Sequence, residues 1–225
     1  IAIEENEALA EPWQPGEVVM ELRDITRYII ASPAEIPNPG APYHRIIPPM
    51  FAKQADVEGI IDEYFRFYAD SAVYIREGYS YTHGAVLSVV DCTKLEALQA
   101  STEKMVQRYA SADEDLRLTS VLRYFPLSSQ VIPEFYDMKG YMRHLITSST
   151  DWSEWHAAFD AAVPYRRATE HWFTSYTGGY MYIRDKEDFG GISMFVPQPE
   201  DYFDNLLNQC RATSWYPVSG WSSFY

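Results

Sequence analysis

Cysteine is scarce: Cys92 and Cys210 are the only two in 225 residues. Two thiols make no disulfide framework and do not fix the redox compartment. Neither stands in a zinc-ligand spacing, and His44, His144, His156 and His171 are scattered. No apolar run approaches the ~18 residues that would cross a membrane. Positive charge is also in short supply, with 18 Lys and Arg against 32 Asp and Glu and a net charge of −14. Such a field repels phosphate backbones, which excludes nucleic acid as a natural partner. It keeps the protein soluble and suits a cationic ligand such as a Lys- or Arg-bearing peptide. There is no Gly-x-Ser-x-Gly elbow and no Asp-x-Asp-x-Asp loop. Gly178-Gly179 lacks the helix start and downstream acid of a nucleotide loop. No signal-peptide pattern is visible, and the chain opens on Ile1, so it reads as a mature, processed or truncated product.

What the chain has is apolar and aromatic bulk. Apolar residues make up 47%, well beyond disordered chains, and 225 residues suffice for one α/β domain with one large core. The 18 tyrosines, 11 phenylalanines and 6 tryptophans read first as core packing beside exposed tyrosines. A carbohydrate- or peptide-binding surface, including Trp215, Trp221 and Tyr225, is the alternative.

Residues 1–16 are acidic and irregular and read as a lead-in arm to a domain at 17–225. Val18, Val19, Leu22 and Ile25 recur at helical spacing. Tyr28–Ala31 suits a buried strand, followed by a stiff loop with Pro33, Pro37, Pro39, Gly40 and Pro42. Asp56 can cap a helix whose apolar face is Val57, Ile60, Ile61, Tyr64 and Tyr68. Ala85–Val90 reads as a buried strand. Thr93 and Glu96 have the spacing of a capping box opening a helix through Leu95, Leu98, Met105 and Tyr109. Further helices are expected over 113–124, 139–146 and 200–211. Another begins at Asp151, with Trp152, Trp155, Phe159 and Val163 on one side and Pro164 at its end. Strands are expected over 170–176 and 191–196, and an aromatic tail over 215–225. Alternating strands and helices predict a layered α/β fold with a largely parallel central sheet flanked by helices.

Several segments in order resemble the clostripain family of cysteine peptidases. Glu17–Asp24, EVVMELRD, is similar to the end of that family's "CxMGxVEVAYELRD" helix. Ala31–Pro37, ASPAEIP, matches its "ASPxEIPGDGxPY" loop. Ala85–Asp91 with Thr93-Lys94-Leu95 resembles "xTLSVIDLSKL", Tyr136-Asp137-Met138 its "xxDLxDF" helix start, and Gly191–Pro197 its "GLSxYxP" strand. The resemblance implies a caspase-like α/β fold and cleavage after Arg or Lys by a His–Cys pair, in which the imidazole promotes the reactive thiolate. It also implies secretion or attachment to the cell envelope, division into light and heavy chains, and permits calcium. In register, the nucleophile's position holds Glu11, and Pro39 stands where the family loop carries its specificity aspartate. Glu35 and Asn38 remain as substrate-binding candidates. The motif's mimic, His83-Gly84 before Asp91-Cys92, is separated by its own strand, about 25 Å if extended, against the roughly 3 Å of hydrogen-bond reach that catalysis needs. The expected reading is a family homologue inactive in this chain and serving as a binding or accessory domain, with no catalytic residue, metal or cofactor of its own. Its expected partners are a peptide or protein ligand and an N-terminal light chain. The alternatives are the heavy-chain part of an active endopeptidase and an aromatic carbohydrate-binding surface.

Overall fold

The computed structural model describes residues 26–34, 40–52, 56–69, 85–110, 121–124, 135–169, 171–174, 179–182, 189–196, 208, 211–213 and 215–221. Strands β1 (Tyr28–Ala31), β2 (Val86–Asp91) and β5 (Tyr165–Ala168) form one sheet in the order β1-β2-β5. Strands β3 (Arg123–Tyr124), β4 (Phe135–Asp137) and β8 (Ser193–Phe195) form a second, and β6 (His171–Thr174) pairs with β7 (Gly179–Tyr182). The helices are α1 (Tyr43–Met50), α2 (Val57–Ala69), α3 (Leu95–Tyr109), α4 (Met138–Leu145) and α5 (Ser149–Ala162).

Among the described residues every strand pair is antiparallel, which corrects the expected parallel sheet. The expectation came from β2, whose run of buried residues is the usual mark of a parallel strand covered on both faces. Burial on both faces is real. Leu87 and Val89 pack with Ile46, Ile60, Ile61, Tyr64 and Phe65 of α1 and α2. Val86, on the opposite face, packs with Ala34, Tyr124 and Phe189. A continuous apolar run therefore reports cover on two sides and carries no information about strand direction.

Local chemistry accounts for most element boundaries. Asp56 caps α2 as expected, its Oδ1 accepting from the Gly59 amide at 2.8 Å. The start of α3 differs from the expected Thr93–Glu96 box. Asp91 Oδ1 accepts from the Thr93 amide at 3.0 Å and the Thr93 hydroxyl at 2.6 Å, opening a 3₁₀ turn over Cys92–Lys94 that runs into α3. Helix α5 is capped by Ser148, whose Oγ accepts from the Asp151 amide at 3.3 Å. Asp151, expected to be the cap, instead takes Arg108 and Tyr109 of α3, each at 2.5 Å. Helix α1 was not expected, because Pro48 and Pro49 lie in its last turn. They cost backbone bonds there but leave the first turn free to form. The expected helix over 113–124 gives way at its end to β3, and β4, β5 and β7 are additional strands. The expected helix before residue 26 and most of that over 200–211 lie outside the described residues.

The largest core joins α3, α4, α5 and β8 around Trp155, Phe159, Met105, Val106, Tyr136 and Trp221. Trp155 stacks between Trp152 and Phe159, and its indole N–H donates to the Thr102 hydroxyl at 2.9 Å. Trp221 is only 1% exposed, so it belongs to this core and cannot serve a carbohydrate-binding surface. Trp215 packs partly buried against the same core, and Tyr225 lies outside the described residues.

Candidate functional site: the turn after β1 and the carboxylate beneath it

β1 ends in a turn closed by its own serine. The Ser32 hydroxyl donates to the Ala34 carbonyl at 2.7 Å and accepts from the Ala34 amide at 3.2 Å. Ala34 is buried against Val86, Tyr124 and Phe189, so the chain leaves the sheet from a fixed point. Glu35 and Asn38, the substrate-binding candidates, and Pro39 follow this turn and lie outside the described residues, as does Glu11.

Beneath the turn is Asp137, fully buried at the end of β4. Its Oδ1 accepts from the Gly140 amide at 2.9 Å, capping α4. The Gly190 amide donates to both oxygens, at 2.9 and 3.0 Å, and the Gly191 amide donates to Oδ2 at 3.0 Å. The Tyr124 hydroxyl donates to Oδ2 at 2.8 Å. The same glycine turn is held from the first sheet. Ser88 Oγ donates to the Gly191 carbonyl at 2.5 Å, and Arg166 Nε donates to the Phe189 carbonyl at 3.2 Å. Gly191 has φ +79°, a backbone conformation that side chains resist. Burial pushes the Asp137 carboxyl above its ordinary range, against the pull of the three amides and the phenol. Burial, followed by the neighbouring Asp137 charge, pushes the Tyr124 phenol well up.

Asp137 was missed as a centre by sequence reasoning. Tyr136-Asp137-Met138 reads only as a helix start, and its partners Gly190 and Gly191 stand more than fifty positions along the chain.

The thiol is elsewhere. Cys92 follows β2 at the opposite end from Ala85, half-buried and unbonded to sulfur. Burial pushes its pKa up and the neighbouring Asp91 charge pushes it further, so the thiolate is disfavoured. His83 and Cys210 lie outside the described residues. Among the described residues no three His, Cys, Asp or Glu side chains gather as a metal site. No described helix is long and apolar enough to cross a membrane.

An open groove of about 580 Å³ runs between α1 and α2, bordered by His44, Arg45, Asp56, Asp62, Glu63 and Arg66. Much of its charge is already committed. Arg66 pairs with Glu63, while Asp62 accepts from the Tyr165 hydroxyl at 2.6 Å and Arg167 at 2.7 Å. The Tyr165 hydrogen bond, then Arg167, holds the Asp62 carboxyl below its ordinary range. The Thr93 hydrogen bond does the same for Asp91. A carboxylate with a depressed folded pKa stabilises the fold above its unfolded value of about 3.9, and that contribution disappears as pH falls through the folded value. Thermal melting should therefore fall as pH drops below about 4. Asp62→Asn should flatten that acid limb in scans between about pH 2 and 6, and an unchanged limb would exclude Asp62 as a contributor.

The model for the clostripain family (peptidase C11) matches residues 14–225, starting beyond Glu11. Solved structures agree. A cysteine protease from B. fragilis is 28% identical with a TM-score of 0.78, over 93% of this chain and 84% of that one. A clostripain from Bacteroides thetaiotaomicron, in complex with the peptide inhibitor BTN-VLTK-AOMK, is 26% identical with a TM-score of 0.70, over 90% and 81%. A secreted C11 cysteine protease from the same species, iotapain, is 26% identical with a TM-score of 0.69, over 90% of this chain and 51% of its own. No curated protein matches the sequence. With the family pattern running through β1, the buried Asp137 and the Gly190-Gly191 turn, this chain belongs to the clostripain family.

Proposed function

We propose that this chain is a clostripain-family peptide-binding domain that does not itself hydrolyse peptides. The observation that carries this reading is the state of its described thiol. Cys92 sits at the end of β2 beside a carboxylate, and what perturbs it is burial and negative charge, with no imidazole among the causes. A thiol so placed is the reverse of an activated nucleophile. The nucleophile's position in family register holds Glu11. Binding falls to the segment beyond Ala34, with Glu35 as the negative group for a cationic side chain and Asn38 as a polar contact. Pro39, in place of the family aspartate, leaves selectivity for Arg or Lys weaker by about 2–5 kcal/mol. The net charge of −14 favours cationic ligands. The related clostripain is held by an inhibitor whose peptide ends in lysine. An arm at 1–16 leads into the domain at 17–225, and the protein acts outside the cell or at its envelope, as the secreted relative does.

The test is hydrolysis of fluorogenic Arg- and Lys-terminated peptides, with and without calcium and a reductant, beside binding of the same sequences. The expected result is binding without turnover, unchanged in Cys92→Ala. Thiol-dependent turnover that disappears in Cys92→Ala or Cys210→Ala would refute it.

The second reading is the heavy-chain part of an active endopeptidase cleaving after Arg or Lys. Its support is that this chain spans 51% of the secreted protease it resembles. Co-expression with a separate N-terminal chain bearing the His and Cys strands decides it: restored thiol-dependent cleavage selects the second reading.

A further inference from the structure

We propose that the outer face of α1 is a docking surface for a basic amphipathic helix of another protein, one whose apolar stripe is flanked by Lys or Arg. Such a partner is a second ligand, beside the peptide of the reading above.

Six large apolar side chains are exposed among the described residues, and four of them belong to α1 and its C-cap. Tyr43 is 67% exposed, Ile47 and Met50 44% each, and Phe51 78%. At about 100° per residue they fall within an arc of roughly 100° on one side of the helix. Beside that arc stands Ile46, the one buried residue of α1, which joins the cluster of Ile60, Ile61 and Tyr64. The helix therefore rests on α2 by a narrow strip and turns an apolar face outward. Side chains at i, i+4, i+7 and i+8 are the pattern by which one helix seats another.

Charge selects the occupant. His44 and Arg45, the only basic side chains of α1, both lie against the Phe67 ring of α2, at 5.5 and 5.4 Å. The last turn of α1 carries no basic residue. Asp56 lies at that end, its amide donating to the Pro49 carbonyl at 3.2 Å, and Glu58 follows, exposed in the first turn of α2. The carbonyl end of α1 adds its own negative potential. A helix with cations beside its apolar stripe complements this arrangement. A second copy would bring a further −14, and four partly exposed side chains offer less than the roughly 800 Å² per partner of a stable dimer. An interfacial membrane helix carries Lys and Arg around its apolar face, whereas the two basic side chains of α1 are taken by Phe67.

The test is fluorescence anisotropy of the full chain with a fluorescein-labelled Leu/Lys peptide of about two heptads, its leucines three and four apart. Binding is expected. A peptide of the same composition, with its leucines spread around the helix, should bind at least about tenfold more weakly. Phe51→Ser and Ile47→Ser should each weaken binding about tenfold, with melting shifted by no more than a few degrees. Phe135→Ser, on the exposed start of β4, should leave it within about twofold. No binding would overturn the proposal. Equal binding of the two peptides would also overturn it, leaving only the attraction of opposite charges. Sedimentation velocity and flotation with phosphatidylcholine vesicles test the other occupants. A dimer or a vesicle association that disappears in Phe51→Ser would give the face to a second copy or to lipid, and the proposal would fall.

Discussion

Asp137→Ala is expected to destabilise the fold by about 4 kcal/mol, and Asp137→Asn by about 2 kcal/mol, in urea unfolding at neutral pH. Alanine removes the α4 cap, worth about 1 kcal/mol, and strands the amides of Gly190 and Gly191, at about 1–3 kcal/mol for each buried donor left unmet. Asparagine keeps one acceptor oxygen, enough for Gly140 and one leg of the Gly190 contact. Its NH₂ group then occupies the place of Oδ2, which receives both Tyr124 and Gly191. The tyrosine hydroxyl can turn and accept; a backbone amide cannot. One stranded amide is therefore the expected difference from wild type. Equal losses for the two variants would show that the oxygen pair is irrelevant and only the volume matters.

The pH profile gives an independent check on the same group. Burial raises the folded pKa of Asp137 above its unfolded value of about 3.9. Between those two values the folded chain holds a proton that the unfolded chain has released. Stability from this group is thus complete at lower pH and is lost as pH rises through the folded value. The sign is opposite to that of Asp62 and Asp91, whose depressed carboxyls lose their contribution on acidification. Wild type should show a stability maximum between the two limbs. In Asp137→Asn the limb on the alkaline side of that maximum should disappear while the acid limb stays.

How much of this was legible in the sequence depends on the range of the interactions. Helices α2, α3 and α5 follow from residues three and four apart, as in Ile60, Ile61 and Tyr64 or Trp155 and Phe159, and the structure buries those faces. β2 was legible as buried, but its antiparallel partners β1 and β5 are set by contacts far along the chain. Caps were half legible. Asp56 acts as its position suggests, whereas Ser148 displaces Asp151 because Arg108 and Tyr109, more than forty residues away, claim that carboxylate. The family motifs marked the ends of Asp137 and Gly191 without revealing that the two meet. Trp221 shows the reverse failure: its place in an aromatic tail suggested a surface, and the core took it.

Gly191→Ala should cost about 3–4 kcal/mol, from two separable sources. One is conformational: φ +79° lies where a Cβ crowds its own backbone, at roughly 1–2 kcal/mol. The other is steric. An added Cβ would collide with Ser88 Oγ and stand 3.2 Å from Arg166 Cβ, and neither β5 nor β2 can withdraw without breaking its pairing. Ser88→Ala separates the two. Alone it loses the hydroxyl's bond to the Gly191 carbonyl, about 1 kcal/mol. In the double variant the collision is relieved, so the combined loss should fall short of the sum by about 1–2 kcal/mol while the backbone strain persists. Full additivity in urea midpoints would place the cost entirely in the backbone. Complete recovery would place it in the Ser88 contact, and the left-handed turn would then be incidental to the stability of the junction between the two sheets.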